Sequence, residues 1–361
     1  MRIGIDARIA SGRTGGIRTY TRALIRALEQ LDSVHEIIAF RSRHEPALES
    51  AFKQPRLWTP YGHRFERIAV SVELARFRLD VLHSPDFIPP SYGARRHVIT
   101  VHDLAFLRFP HVLTENSRRY YNSQIGGAVK KADHILAVSQ STKNDLMELL
   151  HVREEKITLQ IEGVDENFRR LPPDALAEAR QRLGLPDTFF LFVGTFEPRK
   201  NIPGLLEGYR LLRGQLDDAP PLVLVGRIGW LFDDALVREP REGVIWYEGM
   251  AVGDLPIAYN LATALVLPSF YEGFGLPALE AMACGTVPVV SNCSSLPELV
   301  GDTGALVEPS DPQSIAAALY QVATDDTWRK QQEQAALKRA ERFTWDRAAR
   351  TALAVYDSVL R

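Results

Sequence analysis

Only two cysteines occur in 361 residues, Cys284 and Cys293, nine positions apart in an apolar stretch. They supply no disulfide framework and read as two reduced, buried thiols of a cytosolic chain. Long apolar runs are missing too. Stretches such as Ala264–Leu267 fall far short of the roughly 20 residues a membrane span needs. Met1 leads straight into Arg-Ile-Gly-Ile-Asp, a strand pattern, so no signal peptide is expected. Nor is there an excess of one charge. With 43 Lys+Arg against 45 Asp+Glu, the formal charge of -2 excludes a uniformly basic nucleic-acid binder and an acidic disordered chain. No 20–50-residue repeat is present. No Gly-Lys-Ser/Thr follows a glycine loop and no Gly-x-Gly-x-x-Gly follows a strand, which argues against a P-loop and a nicotinamide or flavin site.

What the chain has is size and a hidden polarity. At 45 % hydrophobic it is long enough for two domains with ordinary cores. Residues 1–165 carry 24 Lys+Arg against 19 Asp+Glu, a balance of +5, and 166–361 carry 19 against 26, a balance of -7. All nine histidines lie between His35 and His151. Halves of different surface chemistry suggest domains with different ligands.

Short β-branched runs at Arg2–Ile5, Ile37–Phe40, Val81–His83, Val98–Val101, Ile135–Val138 and Ile157–Gln160 alternate with helical periodicity, clearest over Tyr20–Leu31. Ser141 and Thr142 are candidate N-caps for a helix running to Leu150. A break follows at Gly163-Val-Asp and Leu171-Pro-Pro-Asp. A second alternation then begins. Its strands are expected at Phe189–Val193, Leu222–Val225, Val244–Tyr247, Ala264–Leu267 and Val287–Val290. Its helices are expected from Asn201, near Asp254–Ala262, and over Leu276–Ala283 and Pro312–Ala323. Asp325–Phe343 is charged and helical, and Thr344-Trp-Asp opens a last helix to Leu360, with Trp345 read as a core anchor or a hinge plug. The pattern predicts two doubly wound parallel α/β domains facing each other, 1–166 and 167–344.

Such sheets bind ligands at the carboxyl ends of their strands. Four junctions there carry candidate chemistry. Ser11-Gly-Arg-Thr-Gly15-Gly16, before the first helix, either contacts a phosphate or makes a plain tight turn. His102, in Val-His-Asp103, is a hydrogen-bond donor or proton carrier, or half of a structural His–Asp pair. His83 is a weaker candidate of the same kind. Gly194-Thr-Phe-Glu-Pro-Arg199-Lys200-Asn places two cations at a strand end beside a helix N-terminus, which suits a pyrophosphate or else a solvated basic turn. Glu272-Gly273-Phe274-Gly275-Leu276 with Glu280 places one carboxylate in a loop and one a turn inside a helix, against the plain reading of a helix start and surface charge. Glu280 could accept two ribose hydroxyls. Glycosidase carboxylates sit roughly 5–9.5 Å apart, and this spacing gives no reason to expect that.

Taken in order, Gly15-Gly16, VHD at 101–103, VSQSTKNDL at 138–146, GVD at 163–165, GTFEPRKN at 194–201 and YEGFGLPALEAMACGTVPVV at 271–290 resemble the retaining glycosyltransferases of family 4 over nearly the whole chain. The resemblance implies the GT-B fold: two Rossmann-like domains facing across a cleft, with the C-terminal helix, here 345–361, crossing back onto domain one. It implies that Arg199 and Lys200 hold the donor diphosphate and that Glu280 binds the ribose. Glu272, with the backbone of Gly273, Phe274, Gly275 and Leu276, would hold the transferred sugar. Gly16, beside Gly15, would close over the phosphate, and His102 would bond the sugar near the reacting carbon. Met250, Ala251 and Leu255, after the strand Val244–Tyr247, would contact the base, and Gly194 is a further donor-binding residue. Chemistry of this kind needs neither a cofactor nor a metal, and no Asp-x-Asp occurs. The Glu-Pro-Arg-Lys-Asn loop looks like that of bacterial polysaccharide mannosyltransferases, so GDP-mannose is the expected donor, ahead of UDP- or dTDP-sugars.

Two rivals are a nucleotide-sugar 2-epimerase, which needs further carboxylates, and a non-catalytic binding partner. The acceptor, a glycan or lipid-linked glycan, is expected on domain one. Residues 53–79 there mix Lys53, Arg56, Trp58, Tyr61, Arg64, Phe65 and Arg67 with Arg76, Phe77 and Arg78. Phe65, Ile68, Ala69, Val72, Arg76 and Leu79 recur at helical spacing, either lying on anionic lipid or facing the core beneath a solvated basic face. The expected place is the cytoplasm, at the inner face of the membrane in the first case, and no nucleic acid is expected as partner.

Overall fold

The computed structural model describes residues 1–11, 15–63 and 65–361; the loop positions Gly12, Arg13 and Thr14, and Arg64 of the basic segment, lie outside them. The chain divides into two compact units. One holds Met1–Arg108, Glu115–Gly163 and Thr344–Arg361, and the other holds Phe109–Thr114 and Val164–Phe343. The sequence break was placed after 166; the contact division falls at Gly163. An added Cβ on Gly163 would lie 2.2 Å from the backbone nitrogen of Trp345, so only glycine fits where these two segments touch.

The first unit is a seven-stranded sheet: β1 (Arg2–Asp6), β2 (Glu36–Ser42), β3 (Arg56–Leu57), β4 (Leu79–Ser84), β5 (Ala94–Val101), β6 (His134–Ala137) and β7 (Ile157–Leu159). Every pairing is parallel, in the order β3-β2-β1-β4-β5-β6-β7. The helix Gly16–Gln30 buries Tyr20, Ala23, Leu24, Ala27 and Leu28, the stripe read from its 3.6-residue period. The helix Gln140–Leu150 is capped by Ser139, whose side chain accepts from the Thr142 backbone N–H at 3.0 Å. This corrects the expected caps at Ser141 and Thr142: both already have helical positions, and Ser139 alone keeps the extended backbone a cap requires.

The last helix, Trp345–Ser358, belongs to this first unit. Ala349, Ala352 and Tyr356 join the core of Ile3, Ile5, Leu24 and Leu28, and Trp345 packs half-buried against it, as an anchor. A directed chain of buried hydrogen bonds fastens the helix. Gln160 donates to the Ala348 carbonyl at 2.9 Å, so its oxygen faces Tyr20 and accepts that hydroxyl at 2.6 Å. Tyr20 then accepts from Thr100 at 2.8 Å, Thr100 accepts from His83 Nε2 at 2.8 Å, and His83 Nδ1 accepts from Tyr356 at 2.6 Å. Each hydroxyl has one proton to give, so the direction at Gln160 fixes the chain as far as His83 Nε2, and a neutral imidazole must then accept at Nδ1. His83 is therefore neutral with its proton on Nε2, and burial pushes it down to about 3. The weaker histidine candidate is part of the packing.

The second unit is a six-stranded parallel sheet: β8 (Phe190–Val193), β9 (Leu222–Val225), β10 (Val244–Tyr247), β11 (Ala264–Leu267), β12 (Val287–Ser291) and β13 (Ala305–Val307). The order is β10-β9-β8-β11-β12-β13. Phe190, Leu191, Phe192, Leu222–Leu224 and Ala264–Leu267 are fully buried, as strands covered on both faces must be. Cys284 is buried and Cys293 half-buried, and neither forms a disulfide. Burial pushes their thiols up, to about 12 and about 11.

Candidate active site

In each unit the strand order reverses beside the first strand, at β1/β4 and at β8/β11. The loops leaving the carboxyl ends of such strands splay to opposite sides and open a crevice. In the second unit the β8 end supplies Gly194 to Lys200 and the β11 end supplies Pro268 to Gly275. The two loops are stitched by the Phe270 N–H, which donates to the Arg199 carbonyl at 2.9 Å. On the other side, Gly226 at the end of β9 lets the β8 loop lie close: a Cβ there would stand 1.8 Å from the Gly194 oxygen. Asn201 fixes the next turn. It takes a left-handed backbone (φ 56°), caps the helix Ile202–Arg213 through the Gly204 N–H at 3.3 Å, and donates to the Pro268 and Pro309 carbonyls at 3.1 and 2.6 Å.

These loops bring Arg199, Lys200 and Glu272 together. Lys200 Nζ lies 2.6 Å from Glu272 Oε1, and Ser269 donates to the same oxygen at 2.7 Å. Arg199 reaches Glu272 Oε2 at 3.0 Å, the Tyr271 carbonyl at 2.6 Å and Glu197 Oε1 through Nε and Nη2 at 3.1 and 2.6 Å. At least four of the five guanidinium N–H groups are thus taken inside the protein. Burial of Glu272 raises its pKa, but the adjoining Lys200 and Arg199 charges outweigh that and hold it at about 2. Glu197 is buried, and its second oxygen has no partner. The cluster holds two cations and two carboxylates, so it is neutral overall.

Glu280 stands in a different setting. It lies on the helix Leu276–Ala283, whose first residue follows Gly275 in a left-handed backbone (φ 102°) that a side chain would strain. A Cβ there would also meet Leu296 at 2.7 Å. Tyr259 donates to Glu280 Oε2 at 2.8 Å. Burial, with a further push from Asp165, raises Glu280 to about 7 against that hydrogen bond. Two carboxylates eight residues apart are therefore driven to opposite ends of the acidic range, one fixed as an anion and one poised near neutrality. Phe274 is buried in the intervening loop. Met250, Ala251 and Leu255 follow the edge strand β10, two strands from β8, with Ala251 exposed and the other two half-buried.

The remaining candidates lie in the first unit. Gly15 and Gly16 open the helix Gly16–Gln30, and among the described residues a Cβ on either would meet nothing within 4 Å. His102 follows β5. Its Nδ1 lies 3.2 Å from Glu162 and its Nε2 2.8 Å from the Pro85 carbonyl, with Tyr20 edge-on at 4.7 Å. Burial lowers its pKa, but the Glu162 carboxylate and the Pro85 carbonyl outweigh that and the net shift is upward. Both nitrogens face acceptors, which favours the protonated ring and leaves neither free to act as a base. Its partner is Glu162, sixty residues away, not the adjacent Asp103. Sequence reasoning missed Glu162, Glu197, Ser269, Asn201 and Tyr259. Glu197 and Asn201 stood inside a quoted motif, whereas the other three carry no local signal.

Comparison with known proteins also finds two regions, which part between residues 168 and 177. Residues 14–168 match the sequence model of glycosyltransferase family 4 and residues 177–339 that of the group 1 glycosyl transferases. The O-antigen chain mannosyltransferase B of Escherichia coli is 36 % identical over 282 residues, covering 76 % of this chain and 74 % of that one. The serotype-specific mannosyltransferase WbdA of the same organism is 31 % identical over 254 residues, and the match spans 68 % of this chain but only 31 % of WbdA. Among solved structures, Anabaena HepE in complex with UDP and glucose superposes with a TM-score of 0.79 at 18 % identity, over 99 % of this chain and 100 % of that one. Two Rossmann-like parallel sheets of the GT-B class, family matches over both and a relative of this similarity make the chain a member of glycosyltransferase family 4.

Proposed function

We propose that this glycosyltransferase moves mannose from GDP-mannose onto a glycan or lipid-linked glycan, retaining the configuration at the anomeric carbon and needing no metal. The observation that carries the reading is the Lys200–Glu272–Arg199 cluster at the β8/β11 crevice. A departing nucleoside diphosphate gathers negative charge, and a fixed cation there stabilises it as it forms. Lys200 is the cation for that role, since its ammonium keeps donors beyond the one given to Glu272. Arg199, held on three sides, frames Glu272 and adds its charge at short range. When the diphosphate takes over Lys200, the Glu272 carboxylate is released to accept hydroxyls of the transferred sugar. Glu280 accepts the ribose hydroxyls, and Met250, Ala251 and Leu255 border the base.

In the transfer, the bond from the anomeric carbon to the diphosphate oxygen breaks. The acceptor hydroxyl oxygen bonds to that carbon from the same face, and its proton passes to the departing diphosphate oxygen. No side-chain base is required, which agrees with a His102 whose nitrogens are both occupied. His102 contributes a fixed positive charge and an orienting ring. The mannosyl donor rests on the likeness to the two Escherichia coli mannosyltransferases. Turnover of GDP-mannose, UDP-glucose and dTDP-sugars, each with and without chelator, tests it. The reading fails if GDP-mannose is inert, if chelation stops transfer, or if NMR shows an inverted anomer or an epimerised donor.

A further inference from the structure

We propose that the helix Glu66–Leu74, with the two loops hydrogen-bonded to it, is a face by which the first unit lies on an anionic lipid bilayer. This inference does not rest on the donor reading above. The helix is apolar on two sides. Its inner side, Val70 and Leu74, packs with Ile38, Phe40 and Leu57, and that contact accounts for its place in the fold. The outer side has no such account. Phe65, Ile68 and Val72, spaced three and four residues apart on one stripe, are 54, 64 and 73 % exposed. Two exposed aromatic residues are hydrogen-bonded to the same helix. Trp58 is 66 % exposed and its backbone N–H is held by Glu73 at 2.6 Å; Tyr92 is 74 % exposed and its N–H is held by Ser71 at 2.9 Å. Of the two readings of the recurring set, the core-facing one is corrected for Phe65, Ile68 and Val72, which are uncovered while the core takes the opposite side; Leu79, at the end of the set, is buried in that core. Exposed apolar groups gathered in this way mark an interaction surface.

Charge selects the occupant. Residues 53–79 hold six Lys/Arg and two Glu, a balance of +4. Both carboxylates are turned to internal partners: Glu66 pairs with buried Arg8, and Glu73 accepts from the Trp58 and Thr59 backbones. Two further cations stand over the rings, the Arg43 guanidinium 4.3 Å from the centre of the Trp58 ring and the Lys131 ammonium 5.7 Å from that of Tyr92. Aromatic and branched side chains ringed by cations suit the boundary between acyl chains and anionic headgroups. A second copy would bring like charge against like charge. No described helix is long and apolar enough to cross a membrane, so the contact is one of lying on the surface.

The test is co-sedimentation of the full chain with vesicles of phosphatidylglycerol and phosphatidylcholine. Binding is expected at low salt, with release at high salt and none to phosphatidylcholine alone. The Ile68→Ser/Val72→Ser variant, altered only at exposed positions, should unfold at the wild-type temperature and partition about tenfold less. Brominated acyl chains should quench the protein's emission, and Trp58→Phe should remove that quenching. The proposal is overturned if phosphatidylglycerol vesicles leave the chain in solution or if the double variant partitions like the wild type. It is equally overturned if the free chain is a dimer that the double variant disperses, which would make a second copy the occupant.

Discussion

Replacing Glu280 with Gln separates stability from binding at a single carboxylate. In the folded unit this group titrates at about 7, against 4.5 in an unfolded chain, because burial outweighs the hydrogen bond from Tyr259. Between those two values the folded state holds a proton that the unfolded state has lost. Stability from this group is therefore complete below about pH 4.5 and disappears as the pH rises through 7. The gap, at about 1.4 kcal/mol per pH unit, amounts to about 3 kcal/mol at the alkaline end, less what partial exposure screens. Glutamine has no charge to desolvate and still accepts the Tyr259 hydroxyl. Glu280→Gln should thus match the wild type at about pH 4.5 and be more stable by up to about 3 kcal/mol at about pH 8, read as melting temperature across the series. Nucleotide affinity should move the other way. If the ionised carboxylate accepts the ribose hydroxyls, wild-type binding tightens about tenfold between pH 6 and 8, while the variant binds weakly with no such slope. Calorimetric titration with GDP supplies that measurement. A variant less stable than wild type at pH 8, or one that keeps the wild-type pH slope in binding, refutes the reasoning.

Lys200→Ala should reduce transfer by about 10²–10³ in kcat/KM for the donor while the second unit still folds; a loss within about threefold would remove Lys200 from the diphosphate role. Glu272→Gln has the opposite sign to Glu280→Gln. Held at about 2, Glu272 supplies stability above pH 4.5 that fades as the pH falls toward 2, so the variant should be about 3 kcal/mol less stable at neutrality and equal to wild type in strong acid. Acid unfolding followed by circular dichroism checks this, and an unchanged acid midpoint contradicts it. Tyr356→Phe leaves His83 Nδ1 buried without a donor and should cost about 1–3 kcal/mol, seen as a lower melting temperature with unchanged turnover per folded molecule.

Much of this architecture is legible in the sequence, for a physical reason. Strands buried on both faces, such as Leu222–Val225 and Ala264–Leu267, must be continuous apolar runs, and their observed bounds coincide with the runs. The short edges Arg56–Leu57 and Ala305–Val307 are defined only by pairing with a neighbour, and nothing in two or three residues announces it. The site divides in the same way. The motifs gave Arg199, Lys200, Glu272 and Glu280 as residue types at strand ends. They did not reveal that the cations face Glu272, or that Tyr259 and Asp165 set the state of Glu280, since those contacts span tens of residues, and Glu197, although only two residues from Arg199, carries no sign of which way its side chain turns. Helical spacing found the stripe Phe65, Ile68, Val72, but periodicity is blind to which of two apolar sides is covered.

The closing of the first unit by Trp345–Ser358 bears on how the protein is made. A nascent chain emerging from the ribosome offers all seven strands of the first sheet well before the helix that completes its core. About 180 residues, Val164–Phe343, must be synthesised in between. Until then Leu24, Leu28 and the Tyr20–Thr100–His83 chain lack their final cover. Closing a flexible loop of that length would cost about 4–5 kcal/mol of chain entropy. A second unit that is already folded removes most of this cost, because its ends meet: the Val164 N–H donates to the Phe343 carbonyl at 3.2 Å. The helix Trp345–Ser358 is thereby delivered beside Gly163, and the first unit is completed only after the second has been made, unlike ordinary domain-by-domain maturation.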